Sequence, residues 1–211
     1  MKQTDLLCAG EPYWIYDHGI AERYDLNRET LRKLAKKLAL IQIRIKRLPE
    51  PAVKREAELL RDVIRESNPQ CKIIMNDSAQ ICKELDLDGV HLGQSDGSVP
   101  DARKLLGPDA IIGLTVRSLE EAEEAQMLIK CKLIDYIGVG TVYETTTKPG
   151  LEAKGLDFIQ EILTRFSPEV VYPIGGINES NIQALFDLGV QHCAISSSLY
   201  QEGVDIGILS S

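Results

Sequence analysis

Leu40-Ile41-Gln42-Ile43-Arg44-Ile45-Lys46 alternates apolar and polar residues without a break, the period of a β-strand. Ile41, Ile43 and Ile45 share one face, and Gln42, Arg44 and Lys46 share the other. Two architectures give this alternation. A half-exposed antiparallel strand turns its polar face to water. A strand of a parallel barrel packs one face under helices and turns the other inward. The surrounding chain chooses between them.

Outward from this stretch, strand and helix patterns alternate. Pro12–Asp17 reads as a first strand, and Asn27 can cap a helix with Leu31, Leu34, Ala35 and Leu38 at i, i+3, i+4 and i+7. After a charged helical segment from Pro51 to Glu66 comes a third strand, Cys71–Asn76, then a helix from Ala79 to Leu85. Asp88–Gln94 is a fourth strand, followed by a helix around Asp101 to Leu106. Ala110–Thr115 is a fifth; Ser118 then caps a helix to about Ile129, with Glu121 completing a capping box. A sixth strand starts at Ile134, with a helix from about Leu156 to Phe166 beyond its loop. Val170–Ile174 is the seventh, Asn178 caps a helix that Gly189 ends after Leu188, and Cys193–Ser196 is the eighth.

Eight strands alternating with helices at this spacing predict an α/β fold, a (β/α)8 TIM barrel, in one domain over residues 1–211. A doubly wound open sheet alternates too. The chain after Ser198 has room only for a short C-terminal helix.

Composition bounds the function. Hydrophobic and charged residues make up 44% and 27% of the chain, as in ordinary globular proteins. A net charge of -8 disfavours nonspecific binding to nucleic acid or to an anionic membrane. An anionic ligand must therefore be met by a local cluster of cations. The five cysteines include no C-x-x-C pair and read as reduced thiols, which points to the cytoplasm. Asp5 interrupts any apolar run before Cys8, so no export signal is expected, and no apolar segment is long enough to span a membrane. A homo-oligomer is compatible with the sequence, which does not specify one.

In a barrel the polar face of the second strand points inward. Arg44 and Lys46 then need an anionic partner, because an unpaired inward cation is costly. Asn76-Asp77 follows the third strand and Asp96 lies just beyond the fourth, so neighbouring loops bring two carboxylates together. Each aspartate alone reads as a helix N-terminal charge. Paired beside two cations, they suit Mg²⁺ shared with substrate phosphates. Thr145, Thr146, Thr147 and Lys148, in the loop after the sixth strand, offer hydroxyls and a movable charge to a phosphate. Gly175-Gly176 and Ser196-Ser197 follow strands seven and eight, where barrels commonly seat a phosphate. His91, mid-strand between Val90 and Leu92, reads as a satisfied structural histidine.

With these residues in view, the chain resembles the thiamine-phosphate synthase family over about Leu40 to Leu199. The resemblance rests on Q-I-R-I-K (Gln42 to Lys46), N-D (Asn76, Asp77) and D-G-V-H-L-G-Q-x-D (Asp88 to Asp96). I-I-G-L-T-V (Ile111 to Val116), T-x-T-K-P-G (Thr145 to Gly150) and I-G-G-I (Ile174 to Ile177) complete it. That family implies a (β/α)8 barrel that uses Mg²⁺ to join an aminopyrimidine methyl diphosphate to a thiazole phosphate, releasing pyrophosphate. By the same resemblance, Gln42, Arg44, Lys46 and Asn76 hold the pyrimidine diphosphate, and Thr115 lies beside its ring. The resemblance also implies that Asp77 and Asp96 bind Mg²⁺ and that Lys148 reaches the leaving pyrophosphate. Thr145, Thr147, Gly176, Ile195 and Ser196 surround the thiazole phosphate. Arg44, Lys46 and Lys148 are the catalytic cations, and the thiazole nitrogen is the nucleophile.

Two residues depart from the family pattern: Ser78 replaces the usual arginine after N-D, which is expected to loosen that loop, and Arg117 replaces a common histidine. A related thiazole tautomerase branch uses that histidine and lacks the paired aspartates, so Arg117 with Asp77 and Asp96 points to the synthase. The tautomerase and a noncatalytic precursor-binding relative are the alternatives.

Overall fold

The computed structural model describes residues 11–145, 150 and 152–200. Eight parallel strands close into a barrel in chain order, with β1 pairing back to β8. The first half holds β1 (Tyr13–Asp17), α1 (His18–Arg23), α2 (Arg28–Ala35), β2 (Leu40–Arg44), α3 (Glu50–Ser67), β3 (Lys72–Asn76), α4 (Ala79–Glu84) and β4 (Gly89–Leu92). The second holds α5 (Val99–Leu106), β5 (Ile111–Val116), α6 (Leu119–Lys130), β6 (Tyr136–Gly140), α7 (Gly155–Leu163), β7 (Val171–Ile174), α8 (Ile182–Asp187) and β8 (Ala194–Ile195). This is the (β/α)8 barrel, not the open sheet. No helix among the described residues is long and apolar enough to cross a membrane.

The period-2 pattern of β2 sorts as a barrel requires. Ile41, Ile43 and Ile45 are buried in the core between barrel and helices. Leu40 belongs instead to the smaller core inside the barrel, with Tyr13, Ile15, Ile74, Tyr136 and Tyr172. Gln42, on that same inner face, is only 2% exposed. Burying Ile41 and Ile43 of β2 and Ile45 just beyond it contributes roughly 1.5–3 kcal/mol each, an upper estimate that fixes which face turns outward.

Helix starts follow the caps in the sequence. Side-chain oxygens of Asn27, Ser78 and Ser118 accept the amides of Thr30, Ile81 and Glu121 at 2.9, 3.1 and 3.2 Å. Glu121 reaches back, but to the amide of Arg117 at 2.6 Å rather than to that of Ser118. Gly189 stops α8 with φ 91°, as expected.

Three expectations differ. Helix α1 has no counterpart in the sequence reading, because six residues carry too little periodicity; Asp17 caps it by accepting the Ile20 amide at 3.0 Å. Asn178 does not cap α8. Its Oδ1 accepts the Ser180 amide at 2.9 Å, forming a local turn, and the helix begins at Ile182. Ser196 lies beyond β8, which spans two residues. Ser197–Tyr200 forms a 3-10 turn, and the expected C-terminal helix otherwise falls outside the described residues.

Candidate active site

Inward-facing residues at the C-terminal strand ends line a cavity of about 420 Å³. Period-2 alternation selects which side chains reach it. On β1 these are Tyr13, Ile15 and Asp17; on β2, Gln42 and Arg44; on β4, His91.

Asp17 and Arg44 sit opposite each other in the β1–β2 register and form an ion pair. Their side chains are 9% and 16% exposed, so the pair is largely desolvated. The hydroxyl of Tyr200 donates to the Asp17 carbonyl at 3.2 Å and accepts the Asp17 amide at 2.6 Å, pinning this strand end. Sequence reasoning supplied no protein partner for Arg44; the structure gives it Asp17. A strand-final aspartate before a helix reads only as a cap, and Asp17 serves in both capacities.

Lys46 pairs with Asp77, and Asp77 and Asp96 are hydrogen-bonded to each other. Two carboxylates in contact must share a proton or a cation. Burial, followed by the hydrogen bond with Asp96, raises the Asp77 pKa against the pull of Lys46. Burial also acts to raise Asp96, but the hydrogen bonds from Asp77 and from the Gly93 amide at 2.8 Å, with Lys46, outweigh it and lower the value. Asp77 sits in the left-handed region at φ 67°, held by its amide donating to the His91 carbonyl at 2.8 Å. Ser78 follows it and caps α4. Among the described residues, no group of three or more His, Cys, Asp or Glu is placed to hold a metal ion. Two carboxylates at the wall of an open cavity fit Mg²⁺, which completes its shell with phosphate and water.

Across the barrel, Gly140, Thr141, Thr145, Gly176, Ser196 and Ser197 line the other wall. Gly176 has φ 67°, and a Cβ there would lie 2.5 Å from the Glu144 carbonyl oxygen. The glycine is thus required by the close passage of the β6–α7 loop, whatever else binds there. Ser196 donates its hydroxyl to the Ile15 carbonyl at 3.1 Å.

Of the expected site residues, the cavity brings together Gln42, Arg44, Lys46, Asn76, Asp77, Asp96, Thr115, Thr145, Gly176 and Ser196. The Ile195 side chain is not among them: alternation turns it outward between Ala194 and Ser196, into the core at 1% exposure. Thr147 and Lys148 lie outside the described residues. Asp17, Tyr13 and His91 line the cavity without having been singled out for it, and Arg117, noted above as a departure from the family pattern, lines it too. His91 is satisfied, as expected, but at the cavity wall, with Nδ1 3.0 Å from Tyr136 Oη and Nε2 2.9 Å from Thr115 Oγ1. Burial pushes the Cys71, Cys82 and Cys193 thiols up to about 12, which makes them poor nucleophiles.

Comparison with known proteins agrees with this arrangement. The family model for thiamine monophosphate synthase matches residues 13–199. A thiamine-phosphate synthase of Persephonella marina is 33% identical over 190 residues, 90% of this chain and 88% of the relative. One from Vibrio campbellii is 35% identical over 176 residues, covering 81% and 83%. Among solved structures, a thiamine phosphate pyrophosphorylase from Pyrococcus furiosus superposes with a TM-score of 0.77 at 29% identity, covering 98% of this chain and 95% of that one.

Proposed function

The chain belongs to the thiamine monophosphate synthase family, and from that premise we infer that it is a thiamine-phosphate synthase, a transferase. It joins an aminopyrimidine methyl diphosphate to hydroxyethylthiazole phosphate, giving thiamine phosphate and pyrophosphate. The observation that carries this reading is a single cavity with cations and paired carboxylates on one wall and a glycine–serine wall opposite. One substrate brings a diphosphate and the other a monophosphate, so two separate anion sites are what the reaction needs.

In this reading Arg44 and Lys46 hold the diphosphate, with Asn76 beside them and Arg117 at the mouth. Asp77 and Asp96 hold Mg²⁺, which supplies positive charge to the leaving pyrophosphate. Thr145, Gly176 and Ser196 seat the thiazole phosphate. The carbon–oxygen bond to the diphosphate breaks with its electron pair leaving on pyrophosphate. The exocyclic carbon becomes a stabilised cation, and the thiazole nitrogen donates its lone pair to form the new carbon–nitrogen bond. No protein nucleophile is required. Arg44 and Lys46 stabilise charge that grows as the bond breaks, the condition under which a fixed charge accelerates a step. Lys148 adds to that charge from the loop after β6. A cytoplasmic location suits free thiols and soluble phosphorylated substrates.

Incubation with both substrates and Mg²⁺, followed by chromatography, tests the reading. Thiamine phosphate must accumulate with time and enzyme. Its absence while both substrates bind would favour a noncatalytic binding protein.

A further inference from the structure

Beneath the two anion walls, a line of neutral polar groups crosses the floor of the barrel. Gln42 Nε2 donates to the Tyr13 hydroxyl. Tyr13 and Tyr136 hydroxyls are 2.8 Å apart, Tyr136 Oη is 3.0 Å from His91 Nδ1, and His91 Nε2 is 2.9 Å from Thr115 Oγ1. Two glycines make room for it. A Cβ on Gly113 would lie 2.1 Å from Tyr136 Cζ, and one on Gly138 would lie 2.9 Å from His91 Cε1. Tyr13 and Tyr136 pack edge to face with centroids 5.8 Å apart, so both rings are fixed independently of their hydroxyls. Burial keeps both phenols protonated, raising their pKa values above the ordinary 10.0.

Such a chain can run one way from end to end. An amide nitrogen can only donate. With Tyr13 accepting from Gln42, each hydroxyl can pass its own proton on, Tyr13 to Tyr136 and Tyr136 to His91 Nδ1. A neutral His91 then carries its proton on Nε2 and donates it to Thr115 Oγ1. Thr115 lines the cavity, and with its oxygen accepting, its own proton is left to donate there. We propose that Gln42, Tyr13, Tyr136 and His91 act as positioning residues that fix the Thr115 hydroxyl as a donor, selecting a heteroaromatic substrate with an unprotonated ring nitrogen at that wall. Naming that substrate as the pyrimidine diphosphate rests on the functional reading above; the direction of the chain does not.

Tyr136→Phe tests it, since the variant keeps the ring and removes the link. In the wild type, ¹⁵N spectra should show His91 as the neutral Nε2–H tautomer, with its signals assigned by their loss in His91→Gln. In Tyr136→Phe that tautomer should lose its exclusivity. Affinity for the pyrimidine diphosphate should fall about tenfold, as for one neutral hydrogen bond, with thiazole-phosphate affinity changed less than about twofold. Two pyridine analogues, each with one ring nitrogen replaced by C–H, complete the test. The wild type should reject one of them about tenfold more than the other, and Tyr136→Phe should lose that preference. An Nδ1–H tautomer or an imidazolium in the wild type at neutral pH would overturn the proposal. So would an active enzyme that treats both analogues alike, and in that case the synthase reading stands. Failure to bind the pyrimidine diphosphate overturns the synthase reading instead, and the tautomer still decides the direction of the chain.

Discussion

Asp17 and Arg44 face each other across the β1–β2 register as a largely buried ion pair, and the same aspartate caps α1 through its other oxygen. Arg44 is therefore already partnered before any diphosphate arrives. A diphosphate has to compete for it or share it, and the pair holds the guanidinium at the cavity wall with little freedom to swing away.

This relationship sets the outcome of Arg44→Met. The substitution leaves the largely buried Asp17 carboxylate without its cation, so stability should fall by about 3–5 kcal/mol, the usual cost of breaking a buried pair. Pyrimidine-diphosphate affinity should fall about 10- to 150-fold, as for one charge-assisted hydrogen bond. Adding Asp17→Asn should recover part of the stability and none of the affinity. Thermal unfolding and substrate titration read both; an unchanged or raised Tm in Arg44→Met would show that Asp17 is not its structural partner.

Removing either of the carboxylates proposed to hold Mg²⁺ separates binding from folding. Asp77→Asn and Asp96→Asn should each lower activity by about 10²-fold or more while leaving circular dichroism unchanged. A chelator should do the same to the wild type, reversibly on addition of Mg²⁺. Full turnover in chelator would sink the metal assignment.

The same two residues give a pH dependence with a definite sign. Asp77 is raised above 3.8, chiefly by burial, so the folded chain holds a proton that the unfolded chain releases. More protons are bound by the folded state in that window, and stability from this group falls as pH rises through its folded pKa. Asp96 is lowered and acts oppositely, its stability being lost as pH falls through its folded pKa. On the proposed assignment, Mg²⁺ bound by Asp77 and Asp96 displaces that proton. The rise in Tm on adding Mg²⁺ should therefore grow with pH above the ordinary carboxylate range, and Asp77→Asn should flatten the increase. A Mg²⁺ effect independent of pH would contradict the shared proton.

Lys148 is expected to act on the step rather than on binding. Lys148→Ala should lower kcat about 10²-fold or more with a smaller change in thiazole-phosphate KM, because charge on the leaving group grows toward the transition state. A variant that keeps kcat and loses thiazole-phosphate affinity would move this lysine to the other phosphate.

How much of this was legible in the sequence depended on the range of the interaction. The β2 alternation and the Ser78 and Ser118 caps are local, and the structure keeps them. Asp77 and Asp96 were readable as neighbours because parallel barrel order puts consecutive loops side by side. The Asp17–Arg44 pair and the Tyr13–Tyr136 contact were not. They join residues 27 and 123 positions apart, and nothing in either local pattern names the partner. The room that Gly113 and Gly138 make for the rings of Tyr136 and His91 likewise shows only in the folded barrel. The family resemblance puts Ile195 beside the thiazole phosphate, yet its side chain obeys the strand period and turns to the core.

The most direct measurement is the stoichiometry of pyrophosphate release during turnover. With both substrates and Mg²⁺ present, one pyrophosphate should appear for each thiamine phosphate formed, and none when the thiazole phosphate is omitted. Pyrophosphate released at the same rate without the thiazole, or none released with both substrates bound, would contradict the assignment of this cavity to a condensation.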